Sequence, residues 1–253
     1  MKSTGAEPSF SLLGTTPKIS YGISTVADGN MSFIWGAQTE VASNRVRFFA
    51  RWNEAAQKPV VMRCDHAGHI ATISKDLAGR GSNSAEDAVT ADAFVTDEKA
   101  LPLILLTGDC IPAIFFDPIA NALALVHLSW KTTESKLARR TVELMIKTYG
   151  CDPSRLLVCL GPGIQANSYS FPDPIQKSLS GWGPFLRDLP DGTTAIDNFS
   201  YNKSQLLGVG VQAEHIEDVG IDTATDARFF SHYRSARTDD AEGRFATVVQ
   251  INA

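Results

Sequence analysis

With 253 residues, 43% of them hydrophobic and 20% charged, the chain is long enough to bury a sizeable core. Lys and Arg number 23 against 28 Asp and Glu, a net charge of −5 with no basic block, which argues against nucleic-acid binding through a phosphate-attracting surface. No apolar run approaches the ~20 residues of a membrane helix, and the first residues lack the apolar stretch of a secretory signal, so a cytoplasmic protein is expected.

Residues 1–17, rich in Ser, Thr, Gly and Pro, read as a flexible segment, and 18–253 as one domain. From Ile19 the run ISYGIST is strand-like, Ala27-Asp28-Gly29-Asn30 is a turn signal, and MSFIW reads as a second short strand. A helix is predicted over 39–57 with Thr39 as its N-cap. Val41, Phe48, Phe49, Trp52 and Ala56 form its apolar stripe, and Arg45 falls inside that stripe. A cation there either snorkels out, pairs with a carboxylate or lines a polar pocket.

Strand-like runs follow: PVVMRC, HIATI, DAFVT, LPLILLT, IPAIFF and ALALVHL. A polar loop over 75–90 interrupts them, and Asp117-Pro118 with Ala120-Asn121 reads as a hairpin turn. A second helix is predicted over 133–149, stopped by Gly150. RLLVCL is a buried strand, a third helix spans 201–211, and FATVVQI closes the chain. Strands and helices are mixed without strict alternation, which is the pattern of an α+β domain.

Reactive side chains cluster at the ends of three apolar strands: Cys64-Asp65-His66, Asp109-Cys110 and His127. Four cysteines without CxxC spacing are too few for a disulfide scaffold and should be thiols in the cytosol. Two chemistries use such a set. Cys110 can be the nucleophile of a hydrolase, with His127 as base and Asp109 or another residue orienting it. Alternatively, Cys110, His66 and His127 can ligate a metal with one position open, the format of catalytic zinc. A buried thiol beside two hydrogen-bonded core histidines is the plain structural alternative. The spacing of 44 and then 17 residues matches no local zinc motif.

The segments VTADAFVTD, TGDCIPAIFFDP, ALVHLSWK, GPGI and FFSHYR…EGRFATVV, in this order, resemble the laccase-domain family. Its older name is multicopper polyphenol oxidase, and its members are regarded as purine nucleoside phosphorylases. The similarity spans roughly residues 20–252 and includes GIST and Asn44-Arg45. The resemblance implies a layered α/β/β/α sandwich with mixed sheets in a single domain. It places the family's zinc ligands on His66, Cys110 and His127. The family's QVHG is here Cys64-Asp65-His66-Ala67, and its HAGWRG is His127-Leu128-Ser129-Trp130-Lys131-Thr132, with Lys in place of the bidentate Arg. His69 competes with His66, but an extended segment would point the two to opposite faces.

The activity so implied is phosphorolysis of adenosine, inosine, guanosine or methylthioadenosine, together with deamination of adenosine. Zinc would acidify a water for attack on the purine, while cations would position phosphate. Arg45, Lys131, Arg234 and Arg244 are the candidate cations. Asp92 and Asp109 are the candidates to orient a histidine or to act as general acid or base beside Cys110 and His127. Phe229, Phe230 and Tyr233 could stack on a purine, although aromatics so spaced are more often core. The competing readings are a Cys–His thiol hydrolase or deamidase, a copper-dependent phenol oxidase, and a degenerate zinc-containing binding protein. Five histidines are too few for a multicopper array, which favours zinc over copper.

Overall fold

A computed structural model describes residues 8–50 and 58–253. In chain order its strands begin with β1 (Ile19–Ile23), β2 (Val60–Arg63), β3 (Ile70–Thr72), β4 (Val89–Thr90), β5 (Ala93–Thr96), β6 (Leu103–Thr107) and β7 (Ile111–Asp117). They continue with β8 (Ala122–Leu128), β9 (Leu157–Leu160), β10 (Ser170–Phe171), β11 (Leu186–Asp188), β12 (Thr194–Ile196), β13 (Ile216–Asp218) and β14 (Phe245–Ile251). The helices are α1 (Ser11–Gly14), α2 (Gln38–Ala50), α3 (Trp130–Glu134), α4 (Leu137–Tyr149), α5 (Asn198–Gly208) and α6 (His232–Ser235).

One sheet has the order β1-β14-β6-β2-β4 and the other β13-β9-β7-β8-β5-β3. Both are mixed. β6 is antiparallel to β14 and parallel to β2, while β9 is antiparallel to β7 and parallel to β13. A small third sheet, β10-β12-β11, left no pattern in the sequence because its strands are only two or three residues long.

Side-chain alternation sorts the apolar residues into layers. Leu103, Leu105, Phe245 and Val249 of the first sheet meet Phe94, Ile114, Phe116, Leu123 and Leu125 of the second in one buried cluster. The intervening residues face outward. Ile104, Ala246 and Val248 pack against Phe48 of α2. On the far side, Val95, Ala113, Phe115 and Val126 pack against Leu137, Val142 and Met145 of α4 and Phe199 of α5. The chain is a single α+β domain layered α/β/β/α, in agreement with the expectation.

Several local expectations are corrected. MSFIW is a turn, not a strand, with Ile34 and Trp35 exposed. Asn30 captures the backbone there: its Oδ1 accepts the Ser32 N–H at 2.9 Å and its Nδ2 donates to the Ser32 carbonyl at 3.0 Å, an Asx turn that competes with pairing. The Val41 N–H already donates to the Ala37 carbonyl, so Thr39 lies inside α2 and caps nothing. Positions 51–57 of that expected helix, with Trp52 and Ala56, lie outside the described residues. The helix expected over 133–149 is two helices, because Ser129 caps an earlier start and Lys136 breaks the run in a left-handed conformation, φ 60°. The helix expected over 201–211 is α5, started earlier by Asp197, whose carboxylate accepts the Ser200 N–H at 2.8 Å. Of the segment 1–17, residues 1–7 lie outside the described residues. Phe10 and Leu13, however, are buried in the inter-sheet cluster, and Glu217 accepts the N–H groups of Ser11 and Leu12.

Candidate active site

The alternation that builds the core also builds the site, at one end of the seam between the sheets. On β8, His127 shares the inward face of Leu123 and Leu125, and Asp92, just before β5, shares that of Phe94. From the opposite sheet, Cys64 continues the inward series Val60, Met62 and packs on the same cluster. Cys110 immediately precedes β7, whose Pro112 stands opposite His127 in the β7–β8 register.

Asp92 is the centre of the polar network. Its Oδ1 lies 2.8 Å from His127 Nδ1 and accepts the His66 N–H at 3.1 Å, and its Oδ2 accepts the Gly68 N–H at 2.8 Å. The chain turns at His66 (φ 60°) and Gly68 (φ 77°) to aim both N–H groups at this one carboxylate. A Cβ on Gly68 would come within 2.7 Å of Ser135 Oγ, so glycine is required there. The His66 and His127 rings meet edge to face with centroids 4.8 Å apart. Cys110 lines a cavity wall together with His66 and His127. Cys64, Asp92 and His127 each place a donor atom within 4.8 Å of the others. His69 is exposed and bonded to Asp65 at 3.0 Å. Its separation from His66 comes from the bend, not from the extended alternation supposed from sequence.

The cluster is electrostatically tuned. Burial works to lower the His127 pKa, but the Cys64 and Cys110 sulfurs and the Asp92 carboxylate override it and hold it well above the usual histidine value. Burial also works to raise the Asp92 pKa. The His127 ring and the Gly68 N–H more than offset this and keep it well below the usual carboxylate range. Burial and the neighbouring His127 push His66 down. Two sulfurs and a carboxylate thus surround a position that favours positive charge.

Two cavities, of about 480 and 420 Å³, flank the cluster and share His66, Gly108, Cys110 and His232 in their walls. The first adds Cys64, His127, Phe33, Trp35, Arg45 and Arg244. The second adds Lys131, Tyr169, Phe171, Asn198 and Tyr233.

The structure divides the candidate cations. Arg45 is buried, and its guanidinium donates to the carbonyls of Met31 at 2.8 Å, Gly81 at 2.9 Å and Ser82 at 3.3 Å, with Phe33 beneath it. It pins the loop at 81–82 to the turn after β1, and burial lowers its pKa to about 10. Arg234 is a correction: it donates to Asp240 and to the carbonyls of Thr223 and Phe229, and it lines neither cavity. Arg244 lies over Trp35 in the first cavity but is ion-paired with Glu242. Lys131 lines the second cavity and has no carboxylate partner among the described residues.

Of the two aspartates, Asp92 orients His127 and Asp109 does not. The Asp109 carboxylate instead accepts the Thr223 hydroxyl at 2.7 Å and the Tyr233 N–H at 2.6 Å, tying α6 and the segment at Thr223 to the cavity wall. Phe229 and Phe230 are core, while Tyr233 reaches the second cavity.

Residues 18–252 match the model of the family described as multi-copper polyphenol oxidoreductase laccase. The chain belongs to this family. It is 32% identical over 211 residues to the purine nucleoside phosphorylase YlmD of Geobacillus stearothermophilus, covering 79% of this chain and 76% of that protein. The corresponding figures for YlmD of Bacillus subtilis are 27% over 202 residues, 77% and 72%. The crystal structure of the Geobacillus protein has a TM-score of 0.85 against this one at 28% identity, covering 94% of this chain and 93% of that one.

In this laccase-family chain the sequence reading set Cys64 at a strand end beside His66 but gave it no role, although period-two counting from Val60 and Met62 turns it towards the cluster. It also passed over His232, which lines both cavities, and Phe33 and Trp35, whose place on the wall follows from the turn that replaced the expected strand.

Proposed function

We propose that this chain is a zinc-dependent purine nucleoside phosphorylase, acting on adenosine, inosine, guanosine or methylthioadenosine and also deaminating adenosine. The observation that carries this reading is that His66, Cys110 and His127 line the first cavity together, with Asp92 on Nδ1 of His127. The names of the YlmD relatives supply the substrate class.

The donor chemistry fits a metal. One thiol and two imidazoles suit zinc, and a carboxylate on Nδ1 leaves Nε2 of His127 as the ligand nitrogen, the usual outer-sphere arrangement of zinc histidines. The raised His127 pKa marks a position that attracts a cation. Bound zinc would supply Lewis-acid polarisation and an acidified water. The protein's own residues do the rest. Phe33 and Trp35 offer aromatic faces for a purine in the first cavity. Lys131 offers an uncommitted charge for phosphate in the second, and Asp92 holds His127 in one orientation. In this reading the base occupies the first cavity and phosphate the second, with the glycosidic bond at the wall the two share, His66 and Cys110. The expected setting is the cytoplasm.

The test is incubation of the protein and its His127→Ala variant with each nucleoside, with and without phosphate, while counting bound metal. Ribose 1-phosphate and free base, appearing only with phosphate and lost in the variant, support phosphorolysis. Inosine formed from adenosine without phosphate supports deamination. Zinc without product from any nucleoside would make the chain a binding protein. A second reading has its own support: Asp92 on Nδ1 of His127, with Cys110 in the same cavity wall, is the residue set of a thiol hydrolase triad. It predicts activity that is blocked by alkylation and untouched by chelators. A copper phenol oxidase finds less support, since His69 is bonded to Asp65 on the surface and His215 lines neither cavity.

A further inference from the structure

Within the cluster, Cys64 has no part in the three-residue metal set, yet it stands among those residues. Its sulfur lies within 4.8 Å of both a His127 ring nitrogen and an Asp92 oxygen, and it lines the first cavity with His66, Cys110 and His127. Of the three residues in that tight group, Asp92 is the least available as a ligand. Its two oxygens already accept from His127 Nδ1 and from the N–H groups of His66 and Gly68. The thiol of Cys64 is half-buried and forms no disulfide. It also arrives from the other sheet, continuing β2, so it approaches the cluster from the side opposite β8.

We propose that Cys64 is a fourth metal ligand, so that Cys64, His66, Cys110 and His127 hold zinc in a closed tetrahedron of two thiolates and two imidazoles. The proposal rests on the metal reading above. In such a tetrahedron the donor atoms are separated by roughly 3.3–3.8 Å, so the Cys64 sulfur and the His127 nitrogen, within 4.8 Å of each other, need to approach by about 1.5 Å at most. Two thiolates neutralise the dication, and four protein ligands leave no position for water until Cys64 dissociates, when the acidified water of the phosphorylase reading would take its place. A metal held in this way is slow to exchange and weakly acidic towards water. A nucleoside then gains access only when Cys64 lets go. The departure of Cys64-Asp65-His66-Ala67 from the QVHG pattern thereby becomes a change in coordination rather than a neutral drift.

The test counts sulfurs. Zinc-edge X-ray absorption on the loaded wild-type protein gives the number of sulfur neighbours without any substitution. In parallel, wild type, Cys64→Ser and Cys110→Ser are loaded with Co(II), and the thiolate-to-cobalt charge-transfer absorption is measured per bound ion, with circular dichroism as the check on folding. Two sulfurs per zinc, and a band that falls roughly by half in each variant, are expected as two thiolates become one. One sulfur per zinc, with the band lost in Cys110→Ser and unchanged in Cys64→Ser, overturns the proposal while leaving the three-residue site standing. A wild-type protein that binds neither zinc nor cobalt overturns both.

Discussion

The Asp92 carboxylate lies 2.8 Å from Nδ1 of His127 and, through the same oxygen, accepts the backbone N–H of His66, so one buried side chain sets the positions of two histidines from different segments. Asp92→Asn keeps the size but replaces one acceptor oxygen with an NH2 that must face an N–H donor. The expected result is a loss of about 1–3 kcal/mol in denaturant unfolding, the cost of a buried group left unsatisfied. Zinc binding, measured by competition with a chromophoric chelator, is expected to weaken about 10–100-fold. An unchanged affinity would remove Asp92 from any orienting role.

Arg45 is a structural cation. Arg45→Ala orphans the carbonyls of Met31, Gly81 and Ser82 and should destabilise the fold by about 3 kcal/mol. Arg45→Lys should recover little, because an ammonium cannot reproduce the planar fork. Urea unfolding of the three proteins decides this, and equal stability of wild type and Arg45→Ala would refute it.

Lys131 and Arg234 should part company in kinetics. With phosphate as co-substrate, Lys131→Ala is expected to raise its KM about 10–100-fold, the loss of one charge-assisted contact, with no change in Tm. Arg234→Ala should do the reverse, lowering Tm and sparing KM, since its three bonds go to Asp240, Thr223 and Phe229. The opposite pattern would return Arg234 to the substrate and demote Lys131.

The four thiols should also divide. Cys151 and Cys159 are buried, and burial raises the first to about 12 and pushes the second higher still. Native alkylation followed by peptide mass spectrometry should therefore label Cys64 and Cys110 alone, and prior loading with zinc should protect both, or Cys110 alone if Cys64 is not a ligand. Labelling of Cys159 in the native protein would contradict its burial on β9.

What could be read beforehand was whatever alternation or punctuation encodes. FATVVQI became β14 residue for residue, and the Asp117–Asn121 turn joins β7 to β8 as expected. The two-sheet layering came from family likeness, because period-two patterns say which residues share a face but not which faces meet. Hydrogen bonds from single polar side chains caused the errors. Asn30 turned MSFIW away from a sheet, and Asp197 and Ser129 moved helix starts. At the site, strand parity could have put Asp92 and His127 on the inward face of one sheet and Cys64 on that of the other, whereas the left-handed turn at His66, a non-glycine residue, carries no sequence signature. Likewise the sequence alone could not show that Arg45 was consumed by carbonyls supplied from residues 31, 81 and 82.

The cluster draws Cys64 from one sheet and Asp92 and His127 from the other. It therefore has no existence in either sheet alone. During folding the donors come together only when the two sheets dock, a step of high sequence separation that closes late and slowly. Any ion or substrate that binds there recognises the docked state and stabilises it by mass action. Its arrival can serve as a clock for docking: in a stopped-flow refolding run, cobalt colour should appear with the burial of the inter-sheet phenylalanines and not before.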